Sequence, residues 1–83
     1  MNKSEIQKRV VKVVCQVLRV EPDMVRADSN FAFDLGAEST QSVELVAGFE
    51  EEFGIVLDED AALAVQTVEE AVEFIGKHVK DGA

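Results

Sequence analysis

The sequence predicts an all-α fold: a four-helix bundle of three longer helices and one short helix, with a long loop between helices one and two. Two observations carry this prediction. Apolar residues recur every three or four positions in three separate segments, and capping-box patterns open two of them. Hydrophobic residues make up 47% of the 83-residue chain, enough for a folded core. A chain of this length has room for one domain, which we assign to residues 1–83.

The first helix is predicted to begin at Ser4, where Ser4-Glu5-Ile6-Gln7 has the spacing of a capping box. Its apolar stripe consists of Ile6, Val10, Val13 or Val14, and Val17. We expect Glu21-Pro22 to stop this helix, because proline disfavours helical angles in the preceding residue and lacks an N–H.

A long loop follows the first helix. Pro22-Asp23-Met24-Val25 is predicted to form a single turn. Four apolar residues are expected to pin the loop to the bundle: Val25, Phe31, Phe33 and Leu35. Loops of this length without secondary structure are uncommon in compact domains, and a functional site is the usual reason for one. This loop ends at Ser39.

The second helix is predicted from about Ser39 to Phe53, and Gly54 ends it. Its apolar positions are Val43, Leu45, Val46, Phe49 and Phe53. Ser39 is expected in the first turn or at the cap, with its hydroxyl facing solvent. First-turn N–H groups and the helix dipole favour an anion there, so a phosphate ester would fit. The alternative is an ordinary N-cap serine.

Two more helices complete the predicted bundle. Asp58-Glu59-Asp60 supplies the cap and first-turn charges of a short helix through Ala64, and its spacing does not match an EF-hand loop, so no metal site is predicted. Thr67-Val68-Glu69-Glu70 is a second capping box. One face of the last helix is marked by Val68, Val72, Ile75 and Val79, with Ala71 and Phe74 beside it. Asp81-Gly82-Ala83 is expected to be a frayed end.

Residues able to act in catalysis are few and scattered. Cys15 is expected to be a partly buried thiol in a reducing compartment, and His78 a surface histidine near a helix C-terminus. Neither has a catalytic partner at an obvious spacing, and the chain has no Gly-rich phosphate loop or Cys/His ligand cluster. We therefore predict no catalytic residues and no enzymatic activity.

The charge of the chain is strongly negative. Seventeen acidic residues against eight basic ones give a formal charge of −9, which repels nucleic acid and anionic lipid and predicts partners with basic surfaces. The outward positions of the second helix hold four acidic residues, Glu44, Glu50, Glu51 and Glu52. They form either a docking surface or simply a solvated face. No apolar run approaches the roughly 20 residues of a membrane span. The N-terminus does not resemble a signal peptide, so we expect a cytoplasmic protein without membrane insertion.

Asp34-Leu-Gly-Ala-Glu-Ser closely resembles the Asp-Leu-Gly-Ala-Asp-Ser-Leu segment of acyl carrier proteins. Three further segments resemble the family in the same order and spacing: Val43-Glu44-Leu45-Val46, Glu50-Glu51-Glu52-Phe53 and Thr67-Val68-Glu69-Glu70-Ala71. The resemblance covers roughly residues 5–79. Two departures flank the serine, where Glu38 replaces the usual aspartate before it and Thr40 the usual leucine after it, and Gln41 stands at a position that is usually acidic in the family.

The resemblance implies that Ser39 carries 4'-phosphopantetheine, which a phosphopantetheinyl transferase takes from coenzyme A. The arm then holds acyl groups as thioesters for enzymes of fatty-acid, lipid or polyketide biosynthesis. It further implies that Glu38, Glu44, Glu50 and Glu51 dock basic patches on the transferase and on acyl-processing enzymes. We expect a monomer, and the departures at Glu38 and Thr40 favour a specialised carrier. The alternative is an unmodified acidic helical interaction module.

Small residues suggest room inside the bundle for an acyl chain. Ala47 and Gly48 of the second helix are predicted to face a region containing Ala61, Ala62 and Ala64 of the short third helix. The alternative is that these residues only let the helices approach closely and leave no space.

Overall fold

The computed structural model describes residues 2–79, and within them the chain forms four α-helices. They are α1 (Lys3–Leu18), α2 (Ser39–Phe53), α3 (Glu59–Leu63) and α4 (Val68–Gly76). A 3₁₀ turn at Pro22–Met24 confirms the single turn predicted in the long loop. Residues 2–79 contain no strand, only an isolated bridge between Asn30 and Thr67. The all-α fold is confirmed.

Both ends of α1 differ from the prediction. The N-cap is Asn2, whose Oδ1 accepts the N–H of Glu5 (2.8 Å), so the capping box predicted at Ser4 is wrong. The helix ends at Leu18, before the predicted stop at Glu21-Pro22. Arg19 adopts left-handed angles (φ 58°), and its N–H bonds the carbonyl of Cys15 (2.9 Å), which closes the helix locally before the proline can act.

The core lies between α1, α2 and α4. Its helical members are Ile6, Val10, Val13, Val14, Leu18, Leu45, Val46, Phe49, Val68, Ala71, Val72 and Ile75. Fully burying one such aliphatic side chain stabilises the fold by roughly 1.5–3 kcal/mol before entropy costs. Val43 was predicted in this set but is 47% exposed, because it lies outside the face that Leu45, Val46 and Phe49 bury.

Gly48 of α2 faces α1. A Cβ built on Gly48 would lie 2.7 Å from Cγ1 of Val13 and 3.7 Å from Cγ2 of Val17, so the two helices approach closely at this glycine. Ala47 is exposed. The prediction that Ala47 and Gly48 face α3 is therefore wrong, and Gly48 instead serves the packing of α1 on α2.

The long loop is fastened to the beginning of α4. Three backbone hydrogen bonds, which we call the loop brace, run from Phe31 N–H to the Gln66 carbonyl (2.9 Å), from Val68 N–H to the Ser29 carbonyl (3.1 Å) and from Glu69 N–H to the Ala27 carbonyl (2.8 Å). Phe31 and Leu35 are buried and Val25 is partly buried, as predicted. Phe33 is 91% exposed, so the prediction that it pins the loop is wrong.

The last two helices begin as predicted. Asp58 caps α3 by accepting the N–H groups of Asp60 (3.0 Å) and Ala61 (3.4 Å). Thr67 and Glu70 form the capping box of α4. The predicted frayed end, Asp81-Gly82-Ala83, lies outside the described residues. Within residues 2–79, every helix is too short or too polar to cross a membrane.

Candidate functional site

Ser39 is the first residue of α2, and its side chain is exposed. Its hydroxyl has no hydrogen-bond partner among residues 2–79. The first bond of the helical ladder runs from Ser42 N–H to the Glu38 carbonyl (2.9 Å), so the N–H groups of Ser39 and Thr40 precede the ladder and point toward the helix start. The predicted first-turn position of Ser39 is confirmed.

Neighbouring side chains fix this helix start without using Ser39. The N-cap is Glu38, whose N–H donates to Oε1 of Gln41 (3.0 Å). The hydroxyl of Ser42 donates to the Glu38 carbonyl (3.3 Å). The alternative that Ser39 is itself the N-cap is therefore wrong, and its hydroxyl is left available for chemistry.

The segment before Ser39 is held by its own turn. Asn30 Oδ1 accepts the N–H groups of Ala32 and Phe33 (both 2.9 Å), and Asp34 Oδ2 accepts the N–H of Asn30 (2.7 Å). Gly36 follows with φ 73°, in the left-handed region that glycine adopts at little cost. With Leu35 buried, this turn fixes the path by which the loop reaches α2.

The acidic residues of α2 fall into two groups. Glu44 and Glu51 are exposed and lie on one side of the helix, two turns apart. Glu50 and Glu52 are partly buried, so their predicted outward placement is wrong. Glu50 Oε2 accepts the Leu57 N–H (2.9 Å), and Glu52 pairs with two basic residues of α1, Lys12 (3.3 Å) and Arg9 (3.5 Å).

A cavity of about 240 Å³ lies between α2, α3, α4 and the loop. Leu45, Val46 and Phe49 line it from α2, and Ala62 and Leu63 from α3. Space beside α3 was predicted, but of the five small residues named for it only Ala62 lines the cavity. The loop and α4 also line this space, and periodicity alone could not place them beside α2.

Cys15 and His78 have local roles. Burial raises the pKa of the Cys15 thiol, and the charge of Glu21 raises it further. His78 is exposed, its Nδ1 lies 2.9 Å from the Phe74 carbonyl, and its ring packs on that of Phe74. Across residues 2–79, His, Cys, Asp and Glu side chains form no cluster able to hold a metal ion.

Comparison with known proteins identifies the family of the chain. The family model of the phosphopantetheine attachment site matches residues 8–75. The acyl carrier protein of Bradyrhizobium sp. (strain ORS 278) is 48% identical over 77 residues, which are 93% of this chain and 98% of that protein. The chain belongs to the acyl carrier protein family. The acyl carrier protein of Rhodopseudomonas palustris (strain TIE-1) matches with the same identity and coverage. As an acyl carrier protein, the chain is a non-catalytic carrier with covalently attached 4'-phosphopantetheine.

Ser39 fits such a group better than the other serines within residues 2–79. An acyl carrier protein needs an accessible hydroxyl near groups that stabilise a phosphate, and Ser39 combines exposure with first-turn N–H groups. Ser29 is 6% exposed, and its Oγ accepts the Arg26 N–H (2.9 Å). Ser42 is partly buried, and Ser4 lies outside the family match. The group, when bound, supplies a thiol that holds an acyl chain as a thioester.

Proposed function

We propose that Ser39 is the attachment residue and that this single carrier domain presents acyl thioesters to enzymes of fatty-acid, lipid or polyketide biosynthesis. The observation that carries the proposal is the exposed Ser39 hydroxyl, unbonded within the described chain, at the first residue of α2. A phosphodiester formed there stays in solvent and lies at the positive end of a 15-residue helix.

Peptide mass mapping tests the assignment. The apo protein is incubated with coenzyme A and a broad-specificity phosphopantetheinyl transferase, and we expect one phosphopantetheine on the peptide containing Ser39. Ser39→Ala should abolish the addition, while the matched variant Ser42→Ala should retain it. An addition that survives in Ser39→Ala overturns the assignment. A wild-type protein that accepts no group would instead favour an unmodified acidic interaction module.

Partners are proposed to dock on an acidic surface beside Ser39, consisting of Glu38, Glu44, Glu50 and Glu51. Glu38, Glu44 and Glu51 are exposed, which supports direct contact with basic residues of the transferase and of acyl-processing enzymes. Glu50 is partly buried and bonded to the Leu57 N–H, so its contribution is to the negative field of the surface. Such a surface favours fast, salt-sensitive association.

The cavity between α2, α3 and α4 is proposed to shelter the acyl chain. Burial of each methylene returns roughly 0.8 kcal/mol, so melting temperatures of Ser39-linked acyl forms are expected to climb with chain length. Ala62→Leu reduces the space and is expected to flatten the climb, while Ala47→Leu, on the exposed side of α2, is its matched control. Melting temperatures that ignore chain length would contradict the sheltering.

We further propose that the protein is a specialised carrier that works as a cytoplasmic monomer. The net charge of −9 supports the monomer, because like-charged copies repel one another. Glu38 and Thr40 are both exposed beside Ser39, so their departure from the usual aspartate and leucine would be felt by docking partners. Sedimentation of the loaded protein tests the monomer directly, and a stable dimer at micromolar concentration would contradict it.

A further inference from the structure

Phenylalanines are concentrated around the cavity. The chain has five, and four of them line this one space: Phe31, Phe33, Phe49 and Phe74. They come from three different elements, the loop, α2 and α4, so helical periodicity does not account for their convergence. The fifth, Phe53, lies outside the cavity, with the Arg9 guanidinium 5.9 Å from its ring centre.

Within residues 2–79, these four rings form no aromatic pair with one another. In the described part of the chain, the aromatic pair is Phe74 with His78, at 4.9 Å between ring centres and 55° between planes. Phe31, Phe33 and Phe49 therefore have no aromatic partner there, although all three line the cavity. Aromatic rings prefer offset or edge-to-face neighbours about 4.5–7 Å away, an arrangement that a guest ring could complete.

The rings also span the depth of the cavity. Phe31 and Phe49 are 7% and 6% exposed, whereas Phe33 is 91% exposed at the rim. Ser42, which lies about one turn after Ser39 on α2, lines the same cavity, so the cavity reaches the first turn of the helix that carries Ser39. A cargo entering from Ser39 would meet rings from the rim to the interior.

We infer that the cavity selects acyl groups bearing an aromatic ring over saturated groups of the same carbon skeleton. This inference rests on the proposed function, since the cargo must be tethered at Ser39. The volume permits it: the cavity holds about 240 Å³, and an engineered cavity of about 150 Å³ lined by Leu, Ile and Phe binds benzene.

Two cargoes of identical carbon skeleton test the preference. The apo protein is loaded by the transferase from 3-phenylpropanoyl-coenzyme A or 3-cyclohexylpropanoyl-coenzyme A, each product is verified by intact mass, and both are melted. We expect the phenyl form to melt higher by roughly 4–8 °C, a shift that is measurable for a domain of this size. The cyclohexyl group is the larger and more hydrophobic cargo, so apolar burial alone predicts the opposite order.

Three variants connect the preference to the rings. Phe49→Leu and Phe33→Leu are expected to remove most of the difference between the two cargoes, while Phe53→Leu, on the same helix but outside the cavity, preserves it. Phe33 is exposed, so its replacement leaves the core intact and keeps the test valid if Phe49→Leu does not fold.

Each other outcome counts against the inference. A cyclohexyl form that melts as high as the phenyl form overturns the aromatic preference and leaves the carrier function standing. The same holds if Phe53→Leu also removes the difference in melting temperature between the two forms. A protein that accepts neither acyl arm at Ser39 overturns the proposed function, and the inference with it. The verified mass therefore distinguishes the two failures.

Discussion

Because α1 and α2 approach closely at Gly48, we predict that Gly48→Ala destabilises the wild-type protein but stabilises a Val13→Ala variant. In Gly48→Ala, the new Cβ would lie 2.7 Å from Cγ1 of Val13, whereas carbon atoms pack best at about 3.5–4.0 Å. Val13 cannot yield easily, because it is 3% exposed and a β-branched side chain in a helix has essentially one rotamer.

The magnitudes decide the expected direction. Overpacking a core costs typically about 1–3 kcal/mol, and replacing glycine by alanine within a helix returns about 1 kcal/mol. Gly48→Ala should therefore lower the free energy of unfolding by up to about 2 kcal/mol, and each 1 kcal/mol lost lowers the melting temperature by roughly 4–8 °C. In a Val13→Ala background the obstructing methyl is gone, so the same substitution should stabilise by up to about 1 kcal/mol.

Urea denaturation followed by circular dichroism measures the four proteins of this cycle. Gly76→Ala is the matched control, because its Cβ would lie 3.8 Å from Cδ1 of Ile6, an ordinary contact, and we expect it to be neutral or stabilising. A Gly48→Ala protein more stable than wild type would refute the reasoning. So would an equal loss in both backgrounds, because the effect would then not arise from Val13.

Three further predictions concern charge and the thiol. Glu44→Lys should slow association with the transferase in stopped-flow measurements, most strongly at low salt, while Glu73→Lys on α4 should change the rate little. Glu50→Ala should lower the free energy of unfolding by about 1.5–3 kcal/mol, because it removes a charged hydrogen-bond acceptor, while the exposed Glu51→Ala should stay within about 0.5 kcal/mol. Cys15 should react slowly with iodoacetamide near neutral pH, because its raised pKa keeps the thiol protonated. Since the unfolded thiol ionises first, this group's contribution to stability should fall as pH rises past the ordinary thiol pKa.

Each of these has a result that would contradict it. On-rates indifferent to both salt and Glu44→Lys would exclude docking through the exposed side of α2. Equal stabilities of Glu50→Ala and Glu51→Ala would mean that the bond to the Leu57 N–H contributes nothing measurable. A Cys15 that alkylates as fast as a free small thiol at pH 7 would show that burial does not suppress its ionisation.

Sequence was most informative where structure depends on near neighbours. The α4 capping box joins Thr67 and Glu70, three residues apart, and α2 has the predicted bounds because a glycine follows its last apolar residue. At the beginning of α1 the predicted capping box at Ser4 was wrong, because Asn2, two residues earlier, caps the helix instead.

Two other misses concerned which side chains face solvent, one set by a distant contact and one by a local turn. Glu52 was expected on the outside of α2, but its partner Lys12 lies 40 residues away on α1. Phe33 was expected to be buried because it is apolar, yet the turn made by Asn30 and Asp34 leaves it at the rim of the cavity. The position of Ser39 needed no distant contact, and it was predicted.

The loop brace holds the loop and α4 together, whereas in the described part of the chain α3, which also lines the cavity, lacks such bonds to either of them. Loop and α4 are joined by main-chain bonds, so separating them would expose several N–H and carbonyl groups together. The five-residue α3 has no fully buried residue, and within residues 2–79 its backbone bonds stay within α3 and its immediate flanks. Amide hydrogens of Phe31 and Val68 should therefore exchange with solvent at nearly the rate of global unfolding, and those of α3 much faster. We therefore expect a bulky cargo to displace α3, while the loop and α4, which the loop brace joins, keep their positions.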